Sequence, residues 1–314
     1  MSNNIAFVFP GQGSQHVGML SDLAADSTII QQCFTEASEV LGYDLWDLCQ
    51  NDADSSLAKT EITQPALLAA SVSLWRLWQD RSEAMPSIMA GHSLGEYSAM
   101  VCSGALGFTD AVKLVQSRGQ YMQAAVPQGV GAMAVIIGLE DDAVVAACEE
   151  AAQGQVVSAV NYNSPGQIAI AGNAEAIERA MVIAKDKGAK RAMLLAVSVP
   201  SHCALMEPAA KKLAVDLESI QINTPTITVV QNVTAEPCGE PDHIRANLVA
   251  QLYSPVRWSE SVQFMAGKGI DTLVEAGPGK VLCGLAKRID RSISAFPVAE
   301  AADFAKAQEA LAAE

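Results

Sequence analysis

A short apolar run, Ile88-Met89-Ala90, enters Gly91-His92-Ser93-Leu94-Gly95 and passes at once into Glu96-Tyr97-Ser98-Ala99-Met100. A strand that turns into a helix within five residues leaves room for very few folds. The turn is so sharp that a Cβ at either flanking position would collide with the neighbouring strand or helix, which is why both are glycine. In that setting G-x-S-x-G forms a nucleophile elbow, holding Ser93 above the end of a parallel sheet with its hydroxyl exposed. The helix behind it favours developing negative charge. By itself G-x-S-x-G is a weak pattern, and the bland alternative is a glycine-rich turn; the flanking strand and helix favour the nucleophile.

The 314 residues are half apolar and only 18% charged, enough for one large domain or a domain with an insert. Aromatics are scarce, at 5%, while Ala, Val and Gly abound, which suits closely packed α/β layers. Cysteines 33, 49, 102, 148, 203, 238 and 283 are scattered with no C-x-x-C pair. Such a set reads as reduced buried thiols, with no disulfide framework and no metal site expected. No cofactor is expected either. The N-terminus lacks a basic region, Ile5–Phe9 is too short for a signal sequence, and no apolar run reaches membrane-spanning length. A soluble cytoplasmic protein is the expectation. The formal charge of −15 argues against nucleic acid or an anionic membrane as partner, both of which need a basic footprint.

Along the chain, Ile5–Phe9 forms a buried strand ending in Pro10-Gly11-Gln12-Gly13. Helices are expected over Thr28–Leu41 and Pro65–Asp80, the second capped by Thr63, and another is capped by Thr109-Asp110 and runs to about Ala125. From about Pro127 the pattern changes. A strand (Ala132–Gly138), a helix (Asp141–Ala152), two strands (Val156–Asn161, Gln167–Ala171), a helix (Ala174–Lys187) and a strand (Ala192–Val197) follow in order. This β-α-β-β-α-β series is the ferredoxin-like split unit, an α+β subdomain over 127–198 inserted into a larger one comprising 1–126 and 199–314. A helix is then expected near His202, with strands over Thr226–Val230 and Thr272–Glu275 and a terminal helix over Ala301–Glu314.

A serine hydroxyl needs a base. Of the four histidines, His92 adjoins Ser93 but points away from it on a tight turn, so packing or hydrogen bonding is its expected role. His243 lies in a polar surface stretch and His16 in the first loop. His202 stands where the chain re-enters the large subdomain, above the strand ends, and is the candidate base; the alternative is a structural histidine opening a helix. No acid between Ser93 and His202 stands out as a triad carboxylate. Gly11-Gln12-Gly13 lacks the glycine spacing of a dinucleotide fingerprint. It suits an oxyanion hole better, formed by the amides of Gln12 and Leu94. Arg118 interrupts the apolar stripe Ala111, Leu114, Val115, Met122 and Ala125. It is either a fork for a substrate carboxylate or an edge residue reaching back to water.

Phe9-Pro-Gly-Gln-Gly-Ser-Gln15, Thr63-Gln-Pro-Ala66, Gly91–Ser98, Arg118-Gly119, Asn161-Tyr-Asn-Ser-Pro-Gly166, Pro200-Ser-His202 and Glu275-Ala-Gly-Pro-Gly279 occur in one order over essentially the whole chain. Together they resemble the malonyl-CoA:acyl carrier protein transacylases of bacterial type II fatty acid synthesis. The resemblance implies an α/β-hydrolase-like large subdomain with a parallel sheet, plus the ferredoxin-like insert. It also implies ping-pong transfer of malonyl through an ester on Ser93, with His202 as base, oriented by the main-chain carbonyl of Gln251. Gln12 and Leu94 match the oxyanion hole, Arg118 the malonyl-carboxylate clamp, and Gln64, Met133 and Asn161 pocket-lining positions. The implied partners are malonyl-CoA and, transiently, acyl carrier protein, with the chain a monomer. Lys190-Arg191 and Lys287-Arg288 are candidates for the basic rim that an acidic carrier requires. A thioesterase or esterase would share the elbow and hole, and a non-catalytic carrier-docking module is the remaining alternative.

Overall fold

The computed structural model describes residues 4–197 and 199–312. In chain order its strands are β1 (Ile5–Phe9), β2 (Ile88–Gly91), β3 (Gly131–Ile137), β4 (Val157–Ser164), β5 (Gln167–Asn173), β6 (Arg191–Leu194), β7 (Thr228–Val230), β8 (Thr272–Glu275) and β9 (Ser294–Pro297). They form two sheets. The larger has the order β7-β2-β1-β8-β9, and every pairing in it is parallel. Its central strand is buried along its whole length, as a parallel strand covered on both faces must be. Phe7 and Phe9 enter one core, where Trp75 and Trp78 meet Phe7 edge-on at 5.2 and 5.4 Å. Ala6 and Val8 enter the opposite core beside Trp258 and Leu273. The strand order reverses direction at β1, whose neighbours are β2 and β8. A crevice outside the carboxyl ends of strands is the usual binding place at such a point.

The smaller sheet has the order β4-β5-β3-β6 and is antiparallel throughout. Helices Asp141–Ala152 and Ala174–Asp186 cover one face through Ile136, Ile168, Ile170, Val144 and Ile177. On the other face Met133, Val160, Ala169 and Ala171 pack with Cys203, next to His202. This is the split β-α-β-β-α-β unit the sequence pattern predicts. A backbone exchange joins it to the large sheet's unit: Val256 N–H donates to Val160 O and Tyr162 N–H to Val256 O, at 2.8 and 3.0 Å.

Several boundaries differ from the sequence expectation. The helix expected to start near Pro65 spans Thr60–Arg81 and encloses that proline. Thr63 does not cap it; its hydroxyl donates to the carbonyls of Leu57 and Lys59. The extra turn is held by packing, since helix Phe108–Ala125 crosses so closely that a Cβ on Gly119 would lie 2.6 Å from Glu61 Cα. That second helix begins at Phe108, one turn position before the Thr109-Asp110 pair. No helix opens at His202: a 3-10 turn spans Ala204–Met206 and the helix follows from Glu207 to Glu218. The terminal helix runs Ala301–Ala312; its expected last two residues, and the insert boundary at 198, lie outside the described residues. All seven cysteines are free thiols.

Candidate active site

Ser93 sits between the end of β2 and helix Gly95–Cys102 with φ of +52°, a conformation L residues rarely adopt. The glycines explain how the turn closes. A Cβ on Gly91 would lie 1.9 Å from the Gly95 carbonyl, and one on Gly95 would lie 1.9 Å from Phe9 O. Asn232 ties the turn from outside, its Oδ1 accepting from Ser93 N–H at 2.8 Å and its Nδ2 donating to Gly91 O at 2.6 Å.

Ser93 Oγ lies 2.8 Å from His202 Nε2, and His202 Nδ1 lies 2.7 Å from the main-chain oxygen of Gln251. A carbonyl oxygen only accepts, so Nδ1 carries the hydrogen and Nε2 is left free to accept from the serine. His202 is 3% exposed. Burial first, then the charge of Arg118, hold its imidazole down at about 3, so it is neutral across the neutral range. Among the described residues no carboxylate bonds the imidazole; the partner of Nδ1 is the Gln251 peptide oxygen.

Arg118 is 1% exposed, which excludes the reach to water. Its Nη1 donates to Gln64 Oε1 and its Nη2 to Gln251 Oε1, each at 2.9 Å, with Ser93 Oγ 3.4 Å away. Its guanidinium lies 5.3 Å from the centre of the Tyr97 ring. No ion pair reaches it among the described residues. A buried guanidinium held only by neutral oxygens beside a serine has the chemistry to pair with an anion.

These groups border a cavity of about 110 Å³ lined by Gln12, Gln64, Ser93, Leu94, Arg118, Met133, Asn161 and His202, among others. Strands β3 and β4 of the small sheet supply Met133 and Asn161; Asn161 Oδ1 is buried with no hydrogen-bond partner. A second cavity of about 310 Å³ shares Gln12, His92, Asn161 and Leu195 and extends to Asn163, Gln167 and Val281. It offers room for a longer substrate arm. Thus all the expected pocket residues line one space, while Gln251 is wholly buried behind it.

The acyl transferase domain family matches residues 6–309. A malonyl CoA-acyl carrier protein transacylase of Escherichia coli K12 is 58% identical over 304 residues, covering 97% of this chain and 98% of that protein. The chain belongs to the malonyl-CoA–acyl carrier protein transacylase family. An acyl carrier protein S-malonyltransferase from Vibrio cholerae superposes with a TM-score of 0.95 at 55% identity, covering 97% of this chain and 99% of that one. A malonyl-transacylase solved in complex with its type II PKS acyl-carrier protein gives 0.96 at 56%, covering 98% and 99%.

Within this transacylase-family fold, the other histidines are placed as the sequence suggests. His92 Nε2 lies 2.8 Å from Asn163 Oδ1, its ring tilted against Trp258, while His16 and His243 are exposed. Three neighbours of the site carried no sequence signal: Met122 in the cavity wall, Asn232 behind the elbow, and Glu96 beneath it. Asn232 comes from the loop after β7, 139 residues from Ser93, and no spacing rule relates them. Glu96 sits in the motif itself, yet reads as an ordinary polar residue of a helix's first turn. Among the described residues no helix is long and apolar enough to cross a membrane, and no group of three potential ligands is placed to hold a metal ion.

Proposed function

We propose that this chain transfers malonyl from malonyl-CoA to the phosphopantetheine thiol of acyl carrier protein, supplying the elongation unit of fatty acid synthesis. The observation that carries this reading is Arg118, a buried guanidinium without an acid partner, beside the Ser93–His202 pair.

In the first half-reaction Ser93 Oγ attacks the thioester carbonyl as its proton passes to His202 Nε2. The amides of Gln12 and Leu94 receive the oxyanion, a contribution of about 2.7–4 kcal/mol per donor in comparable sites. The tetrahedral intermediate collapses, the C–S bond breaks, and the departing thiolate takes the proton from His202 to leave as coenzyme A. In the second half-reaction the carrier thiol gives its proton to His202 and attacks the ester, and Ser93 leaves with that proton. Arg118 holds the malonyl carboxylate by a planar two-point contact through both steps. Gln64, Met133 and Asn161 line the acyl pocket, and Gln251 orients the base. Acetyl would leave the guanidinium without its anion, the kind of loss that gives a polar site its selectivity.

Lys190-Arg191 and Lys287-Arg288 are proposed as the carrier-docking rim. Arg191 and Gln167 both face Ile137 in register across the small sheet, and Arg288 donates to Gln167 from the large unit. The two basic pairs therefore lie at the same end of the small sheet. The chain is read as a cytoplasmic monomer that binds no nucleic acid, consistent with its charge of −15. Its two units are taken as 1–126 with 199–314, and 127–198.

Intact mass after mixing with malonyl-CoA tests the reading. One malonyl group should add to the wild type and none to Ser93→Ala, and the adduct should discharge onto added holo-carrier protein. Absence of an adduct overturns the reading, and rapid release of free malonate without an acceptor points to a hydrolase instead.

A further inference from the structure

Glu96 is wholly buried one turn behind the nucleophile, and nothing in the reaction above uses it. Its Oε2 accepts from Gln251 Nε2 at 2.6 Å and from Asn232 N–H at 3.3 Å. Its Oε1 is buried with no hydrogen-bond partner. Gln251 faces both ways: its Nε2 also donates to Ser93 O at 2.9 Å, while its Oε1 accepts from Arg118 Nη2 at 2.9 Å. Carboxylate, amide and guanidinium thus form a continuous chain, and an amide polarised between an anion and a cation transmits charge better than an isolated one.

A buried cation left without any countercharge is costly. Arg118 has no direct acid, and Glu96 is the buried acid linked to it through one side chain. We propose that Glu96 is the countercharge of Arg118 in the empty site: it acts through the Gln251 amide, and it yields that role, by taking up a proton, when the malonyl carboxylate arrives. The inference rests on the malonyl-transfer reading given above.

The groups facing Glu96 set the direction of the effect. Arg118 and Tyr97 are its titratable neighbours, Asn232 and Gln251 its neutral donors, and His202 is tied only to the far, main-chain side of Gln251. Burial lifts the carboxyl to about 7, against the two donors and Arg118, which pull it down. A second carboxylate bound at Arg118 satisfies the guanidinium and adds negative charge nearby. Both changes favour the protonated acid, whose proton goes to the unpartnered Oε1 and leaves Oε2 accepting as before. The uptake comes from solvent, because the acyl transfer itself (malonyl-S-CoA plus Ser93 hydroxyl giving malonyl ester plus thiol) releases no proton.

Glu96→Gln keeps the shape and the acceptor while removing the charge. At pH 8 its KM for malonyl-CoA should fall about three- to tenfold, as removal of a nearby like charge requires. At pH 6, where the wild-type acid is largely protonated, the gap should close. Reaction of Ser93 with phenylmethylsulfonyl fluoride, which has no carboxylate, should stay within threefold at both pH values. A KM unchanged or raised at pH 8, a gap equal at the two pH values, or a sulfonylation rate shifting in parallel overturns the proposal. A second measurement needs no variant: loading the wild type with malonyl-CoA at pH 7 in dilute buffer with an indicator dye. Fractional proton uptake per malonyl ester, counted by mass in the same samples, is expected; loading with no uptake overturns the proposal. If no ester forms at all, the malonyl-transfer reading fails instead.

Discussion

Ser93 and His202 meet at 2.8 Å, and both do so from left-handed backbone, with φ of +52° and +66°. Neither is glycine, so each conformation carries a local cost of the order of 1–3 kcal/mol that the surrounding structure must override. The overriding contacts are visible: Asn232 grips the peptide before and the N–H of Ser93, while His202 N–H donates to Leu252 O at 2.9 Å. The Ser93 hydroxyl and the His202 imidazole are thus held in place by the fold itself.

The elbow glycines should tolerate no side chain. Gly91→Ala or Gly95→Ala would drive a methyl to 1.9 Å from backbone atoms, which cannot swing aside as a side chain can. Overpacking typically costs about 1–3 kcal/mol, and the backbone contact places these variants at or beyond the upper end. Urea unfolding and soluble yield measure it; near wild-type stability and loading would contradict the geometry.

Arg118→Ala should lower kcat/KM for malonyl-CoA by about 30- to 5,000-fold, the range for losing one member of a buried charged pair of about 2–5 kcal/mol. Acetyl loading should be spared or rise. Arg118→Lys should rescue little, since an ammonium cannot reach Gln64, Gln251 and a carboxylate in one plane. Equal loss with both acyl groups would remove Arg118 from the role of clamp.

The pH profile of Ser93 reactivity reports the base. Because burial and the Arg118 charge hold His202 down at about 3, sulfonylation of Ser93 should show no loss centred near 6.5 and should persist to well below pH 5. In Arg118→Ala the acid limb should move upward, though not to 6.5, as burial is the larger cause. A wild-type midpoint at the ordinary imidazole value would refute this.

Glu96 makes the stability of the fold depend on pH. Its folded value of about 7 stands above its ordinary 4.5, so the folded chain binds the extra proton between those values. The stabilisation is complete below about pH 4.5 and lost as pH rises through about 7. Glu96→Gln should therefore gain in Tm relative to the wild type on going from pH 5 to pH 8, by at least about 2 °C. Parallel Tm curves would show that the carboxyl does not titrate in this range.

Charge reversal at Arg191 and Arg288 should raise the KM for carrier protein severalfold at low salt, with the difference shrinking as salt increases. Malonyl-CoA hydrolysis-free loading of Ser93 should proceed as before. No change in carrier use would release this end of the small sheet from docking.

Local chemistry made much of this protein legible in its sequence. The elbow was readable because a steric demand at Gly91 and Gly95 leaves a spaced signature. The small sheet was readable because each of its strands and helices carries its own period of apolar residues. The start of helix Thr60–Arg81 is not legible in the sequence, because the contact that extends it comes from Gly119, far along the chain. His202 was expected to open a helix, whereas the fold bends it into left-handed backbone so that its ring meets Ser93.

The sequence by itself determined the residue types that chemistry requires and the turns whose sterics admit nothing else. Only the tertiary structure decided that Arg118 is buried and not an edge charge, since burial depends on what packs around a helix. It alone linked Gln251, Asn232 and Glu96 to Ser93, because hydrogen bonds across 136 to 158 residues leave no periodicity to read.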